Sequence, residues 1–297
     1  MVHYKKSPSR IIFLIFAYIF LIFLAFVCIA PIIHVIMGSI SNPTYLGLHK
    51  GLVFYPLHNV DTTAYKIILK YEKLWQGYRN TIFYILAQCL VTGVCTVIAG
   101  FVFSRKRFFY RNGFMMVIAF TMLFNGGMIP TYLVIKSLGM VDTPFALIVP
   151  GALSVFNIII MRTSMEGIPD SLEEAARIDG ANDFTIMFRV ILPLCKATFA
   201  VIMLFTAVAK WNDYMSGLLY LPNRTDLYPL QMVLRAILVE SSQDITQSSS
   251  DFTNNAQLYK KCIEYAVIVV STLPILMVYP FVQKYFVTGV TIGAVKS

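Results

Sequence analysis

Apolar residues come in long, nearly uncharged runs separated by short polar stretches. The first run extends from about 11 to 37, and others lie at about 80–103, 112–135, 143–163, 193–216 and 263–286. Each is near the roughly 20 residues that a helix needs to cross a bilayer. Inside lipid a helix satisfies its own backbone, and helices are what this pattern predicts. The first run is expected to bend or end near Pro31. The run at 193–216 is less clean because Lys196 and Lys210 flank its core. Both sit close enough to the ends to snorkel. The prediction is an all-α membrane protein with six transmembrane helices.

Basic residues give an orientation. Lys5, Lys6 and Arg10 precede the first run, and Arg105, Lys106, Arg107 and Arg111 crowd the short stretch 104–111. With six spans these fall on one side, together with the loop around Glu174 and the C-terminus. That side is expected to be the cytoplasm of a multi-pass cell-membrane protein, with residues 1–10 and the tail 291–297 both cytoplasmic. Residues 11–290 form the membrane domain. The outer side then holds 38–79, a turn near 137–142 and the longer segment 217–262. Within the last, 241–257 is polar and rich in Ser, Thr, Asn and Gln. It reads equally as a flexible linker and as a functional loop.

Composition agrees with membrane residence. The chain has 297 residues, 58% of them hydrophobic and 13% charged, and a mean hydropathy of +0.71. A soluble domain carries about a quarter charged residues. The net charge of +9 fits the inside bias of basic residues, and no RNA or zinc-finger signature favours nucleic acid. Cys28, Cys89, Cys95, Cys195 and Cys262 form no CxxC pair and read as packing residues. His3, His34, His49 and His58 are scattered without metal-ligand spacing. No GxxxxGK[ST], HExxH or GxSxG stretch occurs. A catalytic site, a bound cofactor and a metal are therefore not expected in this chain. If ATP drives it, a separate subunit must bind the nucleotide.

The stretch Ser171 to Pro193, SLEEAARIDGANDFTIMFRVILP, holds six acidic or basic groups. It holds two short helical patterns separated by Asp179-Gly180. Leu172, Ala175, Ala176 and Ile178 fall near one face of the first. Ser171 and Glu174 have capping-box spacing, just after Pro169. Gly180 suits the positive φ that ends a helix. Phe184, Met187, Phe188 and Ile191 recur at helical spacing in the second. Two small helices with a bend would make a compact knob whose small residues Ala175, Ala176 and Gly180 admit close approach by another protein.

This stretch resembles the EAA loop of ABC importer permeases: Glu-Ala-Ala, three residues, Gly, nine residues, an aliphatic residue, any residue, Leu-Pro. Glu174, Ala175, Ala176, Gly180, Val190, Leu192 and Pro193 fill those positions, with Val190 where the family usually has Ile. The resemblance implies that 170–193, with Asp179 beside Gly180, is a coupling helix seated in a groove of an ATPase subunit. It also implies a type I ABC importer permease fold. The segments FNGGMIPTYL, Ala209-Lys210-Trp211-Asn212 and KYFVTGVTIGAVKS look like permeases for oligosaccharides, most of all the second permease of complex-polysaccharide, aldouronate-type importers. The partners implied are a second, different permease, two ATPases carrying ATP and Mg, an extracytoplasmic sugar-binding protein, an oligosaccharide and membrane lipid. No nucleic acid is implied.

Several residues within the spans carry two readings. Asn125, Gly126, Gly127 and Pro130 should break or kink the third span. That suits a cavity for a polar solute, and equally a structural kink at a helix contact. Trp211 and Tyr214 read first as belt residues. An aromatic beside an amide, as in Trp211-Asn212, is also how sugars are held. Asn157 shares that ambiguity. A gradient-driven secondary transporter would need carboxylates within the spans, and the uncharged stretches 80–103, 112–135, 143–161 and 265–283 have none. A membrane scaffold without transport would need neither the NGG-P break nor the family-matched loop.

Overall fold

The computed structural model describes residues 8–124, 126–239 and 259–277, and all regular structure among them is helical. In chain order the main helices are α1 (Pro8–Ser39), α2 (Glu72–Ser104), α3 (Arg111–Leu123) and α4 (Met128–Ser137). There follow α5 (Val155–Glu166), α6 (Asp170–Ile178), α7 (Asp183–Leu194) and α8 (Lys196–Trp211). The last are α9 (Met215–Tyr220), α10 (Leu230–Val239) and α11 (259–277). Residues 1–7, 241–257 and the tail motif KYFVTGVTIGAVKS lie outside the described residues.

Among the described residues, two helices are each long and apolar enough to cross a membrane, α1 with 32 residues and α2 with 33. Two further pairs qualify only if each is taken as one bent span: α3 with α4, meeting at 114°, and α7 with α8, meeting at 85°. Several expected boundaries therefore change. The first helix does not end near Pro31 but runs through it to Ser39. The run at 112–135 is not one helix. It breaks where the glycines stand, with Gly127 at φ +88°. Pro130 then sits in the first turn of α4, where its missing N–H costs nothing. The run at 143–163 is also divided. A single turn at Phe145–Ile148 is followed by the non-helical stretch 149–154. Pro150-Gly151 explains that break, since neither residue continues a helix readily. Ser154 then caps α5 by accepting from the Asn157 amide at 3.4 Å. The run at 193–216 begins later than expected, because Leu192 and Pro193 complete α7 and the chain turns at Cys195.

The chain divides into two compact units. One contains 8–72, 236–239 and 259–273. Here α1 is apolar all round and most of its side chains are exposed, as suits lipid or another protein. Only its C-terminal end is built into the unit. His34 meets the Tyr265 hydroxyl at 3.1 Å, and a Cβ on Gly38 would fall 2.6 Å from the Tyr265 ring. Tyr259 donates to Asp61 at 3.0 Å.

The other unit contains 73–124, 126–235 and 274–277. Its core has two apolar clusters. Near one end of α2, Val97 and Phe101 pack with Met161, Met165, Ile186, Ile191 and Ile202. Nearer the other end, Tyr84 packs with Ile135, Leu147, Tyr220 and Leu221. Polar side chains pin the turn before α10 to α2. Asn80 donates to the Asp226 carbonyl at 2.8 Å, and Tyr84 donates to the Leu227 carbonyl at 2.8 Å. Thr81 accepts from the Leu230 amide at 2.8 Å.

Candidate functional site

The loop 170–194 is built from local rules. α6 opens after Pro169 with no side-chain cap. The capping box expected of Ser171 and Glu174 does not form, because the helix starts two residues earlier than a Ser171 cap requires, at Asp170. Ser171 is thus already inside the first turn. Asp170 and Glu173 occupy that turn instead, where the helix dipole favours negative charge. The other end follows the expected turn chemistry. Gly180 takes φ +84°, the Ala181 amide bonds to Ala176 O at 2.9 Å, and the Gly180 amide bonds to Arg177 O at 3.0 Å. This closes the helix with a Schellman motif. Asn182 then caps α7 by accepting from the Thr185 amide at 2.8 Å. Residues Ile186–Ile191 within α7 adopt the wider π form.

Four charged groups lock the loop together. The Arg105 guanidinium donates to Glu173 at 2.7 Å, to Met165 O at 3.0 Å and to Ser104 Oγ at 3.0 Å. Its side chain is 11% exposed and that of Glu173 is 14% exposed. Glu173 also bonds Arg177 at 2.9 Å, and Arg177 bonds Asp183 at 2.6 Å. The chain Arg105–Glu173–Arg177–Asp183 thus ties the end of α2 to both loop helices. Outside it, the exposed Lys106 bonds Asp170 at 2.7 Å. That bond and the ammonium charge hold the Asp170 carboxyl below its ordinary range.

The two faces of the loop differ. Ile186, Met187 and Ile191 are buried in the α2–α5–α8 cluster, with Ala176, Ala181, Val190 and Leu192 packed against it. Leu172, Ile178, Phe184 and Phe188 are exposed. Ala175 and Ile178 do not join the buried face as the helical spacing suggested, and Ile178 is 86% exposed. Glu174, Ala175, Asp179 and Gly180 are all exposed. A Cβ added at Gly180 would meet no atom within 4 Å. The loop therefore presents an outward surface of small, apolar and charged residues over a charge-locked base.

A cleft of about 620 Å3 lies in the same unit. Its lining includes Gln88, Asn157, Thr206, Lys210, Asp213 and Tyr220. Lys210 does not snorkel outward. It is buried, donates to Leu147 O and pairs with Asp213 at 2.9 Å. Asp213 in turn accepts from the Ser216 amide at 3.0 Å and so caps α9. The lysine is compensated in place.

Of the residues expected along a solute path, Asn157 lines this cleft. Gly126 and Gly127 are exposed and stand elsewhere, and Asn125 lies outside the described residues. Trp211 is buried, 6.1 Å from the Tyr78 ring centroid. Asn212 closes α8 by donating to Val208 O at 2.9 Å. Glu173 and Gln88 were not singled out from sequence, and Arg105 and Lys210 entered only as an orienting basic residue and a snorkelling lysine. Gln88 had a legible signal, since Asn80, Tyr84, Gln88, Thr92 and Thr96 recur every fourth residue and are all buried.

Comparison with known proteins places this architecture. A polygalacturonan/rhamnogalacturonan transport system permease protein, YtcP of Bacillus subtilis (strain 168), is 39% identical over 94% of this chain and 96% of its own length. Protein LplC of the same organism is 39% identical over 91% of this chain and 90% of its own. One chain in the crystal structure of a bacterial ABC transporter involved in import of the acidic polysaccharide alginate superposes with a TM-score of 0.88. It is 35% identical, covering 95% of this chain and 99% of that one. The helical fold is therefore that of an ABC importer permease. Residues 93–292, which include the charge-locked loop and all of the cleft's lining but Gln88, match the binding-protein-dependent transport system inner membrane component, and the chain belongs to that family.

Proposed function

We propose that this chain is one of two different permease subunits of an ATP-driven importer that moves an oligosaccharide across the cell membrane by alternating access. An extracytoplasmic binding protein delivers the sugar. Two separate ATPase subunits, with ATP and Mg, supply the work. The observation that carries this reading is the outward face of the loop 170–194. Leu172, Ile178, Phe184 and Phe188 are exposed around the open space at Gly180, while Ile186, Met187 and Ile191 tie the same loop to the core. A surface of that kind suits a helix laid in the groove of another protein. The carbohydrate assignment rests on the relatives named for polygalacturonan and rhamnogalacturonan and for arabinooligosaccharides.

In this reading Glu174, Ala175, Ala176, Asp179, Gly180, Leu192 and Pro193 belong to the coupling element. It lies in the cytoplasm together with both termini and the basic stretch at 104–111. The six crossings are the runs expected from sequence, with the third, fourth and fifth broken. ATP turnover belongs to the partner, so the purified chain alone should hydrolyse none.

Gly180→Val tests the coupling role. Among the described residues no atom lies within 4 Å of a Cβ built at Gly180, so within the subunit the cost is backbone strain of about 1–2 kcal/mol. The expected outcome is a variant that still inserts in the membrane but no longer captures the ATPase on affinity purification, and no longer imports. Normal capture and normal uptake by this variant would remove the loop from the coupling role.

A further inference from the structure

Three side-chain atoms in the second unit are buried without a hydrogen-bond partner among the described residues: Gln88 Oε1, Thr92 Oγ1 and Thr96 Oγ1. They belong to residues that are 4%, 1% and 0% exposed. They stand one helical turn apart on α2, so they share one face. Buried polar groups nearly always find partners, and those that do not call for a cause.

Other threonines in the same unit show what the ordinary solution looks like. Thr163 donates to Ile159 O at 2.9 Å, and Thr206 donates to Ile202 O at 2.9 Å. This back-bond to the preceding turn is open to any helical threonine. Thr92 and Thr96 do not use it. Gln88 opens the row at the cleft, whose wall it forms. A Cβ on Gly151 would come within 2.9 Å of the Gln88 amide. At the other end, three turns on, a Cβ on Gly100 would fall 2.9 Å from Met161. The face bearing Thr92 and Thr96 lies between these two close approaches. It therefore runs alongside the segment from Gly151 to Met161, where the chain is broken rather than one continuous helix. The next residue of the row, Ser104, adjoins Arg105, the first member of the charge chain that locks the loop.

We infer that the row Gln88–Thr92–Thr96 is this subunit's part of the translocation path, closed in this structure, along which sugar hydroxyls make successive hydrogen bonds. The inference rests on the carbohydrate-import reading and adds the residues and the direction of travel. A sugar supplies what the row lacks, since each hydroxyl both donates and accepts. The cleft at the start of the row suits hydroxyl groups better than a carboxylate. Lys210, the cation in its lining, is already paired with Asp213. Equal spacing of like groups lets the sugar exchange one contact for the next.

The test uses opposite signs. Gln88→Leu, Thr92→Val and Thr96→Val keep the volume nearly constant and remove the orphaned atoms. If those atoms only pack, the apolar replacements leave uptake unchanged. If they form the path, each variant loses about three- to tenfold in uptake rate, roughly the worth of one hydrogen bond, while its thermal midpoint stays equal or rises. The measurement uses the whole importer in proteoliposomes, with trigalacturonate, arabinotriose and maltotriose as probes. Reduced uptake with an unchanged or raised midpoint supports the path. Unchanged uptake, or a lowered midpoint accompanying the loss, overturns it. A wild-type importer that carries none of the three sugars overturns the carbohydrate reading and the path with it. Import by wild type that the three variants match overturns the path alone.

Discussion

The loop 170–194 and the buried face of α2 solve opposite problems. In the loop, charges are paired and apolar side chains are left outside. Arg105, Glu173, Arg177 and Asp183 satisfy one another, while Ile178 and Phe184 stay exposed. On α2 the apolar neighbours are packed, and Gln88, Thr92 and Thr96 each keep an atom inside with no partner among the described residues. A structure optimised only for its own stability would show neither feature. An exposed apolar surface is complete once a protein covers it, and an orphaned polar group is complete once a ligand reaches it. The contrast separates a permanent attachment from a passing one.

The largest effect is expected where the loop is locked. Glu173→Gln leaves the partly buried Arg105 guanidinium without its counter-charge; the two side chains are 11% and 14% exposed, so the cost approaches the about 3 kcal/mol of breaking a fully buried pair. The purified variant should melt lower by several degrees in detergent. Glu174→Gln, one residue on and exposed, should melt like wild type. Equal melting of the two variants would break the contrast between a locked base and an open surface.

A smaller effect is expected on the open surface itself. Ile178→Ser removes an exposed side chain, so the isolated chain should change by no more than about 0.5 kcal/mol. ATPase capture should weaken by about tenfold, since the buried area of one such residue contributes about 1.5–3 kcal/mol. Titration of captured ATPase against chain concentration would show it. A melting change without a capture change would place Ile178 in the fold rather than in an interface.

The smallest effect belongs to the rim. Lys106→Ala removes an exposed bond to Asp170, and its melting curve at neutral pH should overlay wild type. The pH dependence has a fixed sign. The Asp170 carboxyl is held below its ordinary value by the bond and charge of Lys106. Whatever the pair contributes is therefore fully present above the ordinary carboxylate range near pH 4, and is lost as pH falls below it. A variant that differs from wild type at neutral pH but matches it at pH 9 would contradict this assignment.

Legibility from sequence followed the range of the interactions. Gly180, Asn182 and the bend at Asp179-Gly180 are governed by turn chemistry within a few residues, and the loop formed where its spacing indicated. The choice between Glu173 and Glu174 depended on Arg105, 68 positions away, and no local pattern carries that. The breaks at 149–154 and at Cys195 show the limit of reading hydropathy alone. Apolar composition marks where a chain can reside in lipid, but Pro150 and Gly151 decide where one of its helices stops. Lys210 seemed placed to snorkel because it lies near the end of an apolar run. Its burial follows from Asp213 and the Leu147 carbonyl, which only the folded chain brings to it.

The turn at Cys195 has a mechanical consequence. α7 and α8 meet there at 85°, and Cys195 itself is bonded on both sides. The Cys195 amide bonds to Ile191 O at 3.2 Å and to Leu192 O at 3.1 Å, and the Phe199 amide bonds to Cys195 O at 3.0 Å. The Cys195 side chain is buried. A stiff elbow between two perpendicular rods is a bell crank. Its arms are about 18 Å and about 24 Å long at 1.5 Å per residue. A push of about 2 Å at the tip of the shorter arm would reach the far tip as nearly 3 Å, turned through a right angle. The far tip carries Lys210, one wall of the cleft. A sideways displacement of the loop would thus be delivered there as a displacement along a perpendicular axis, without any helix having to unwind.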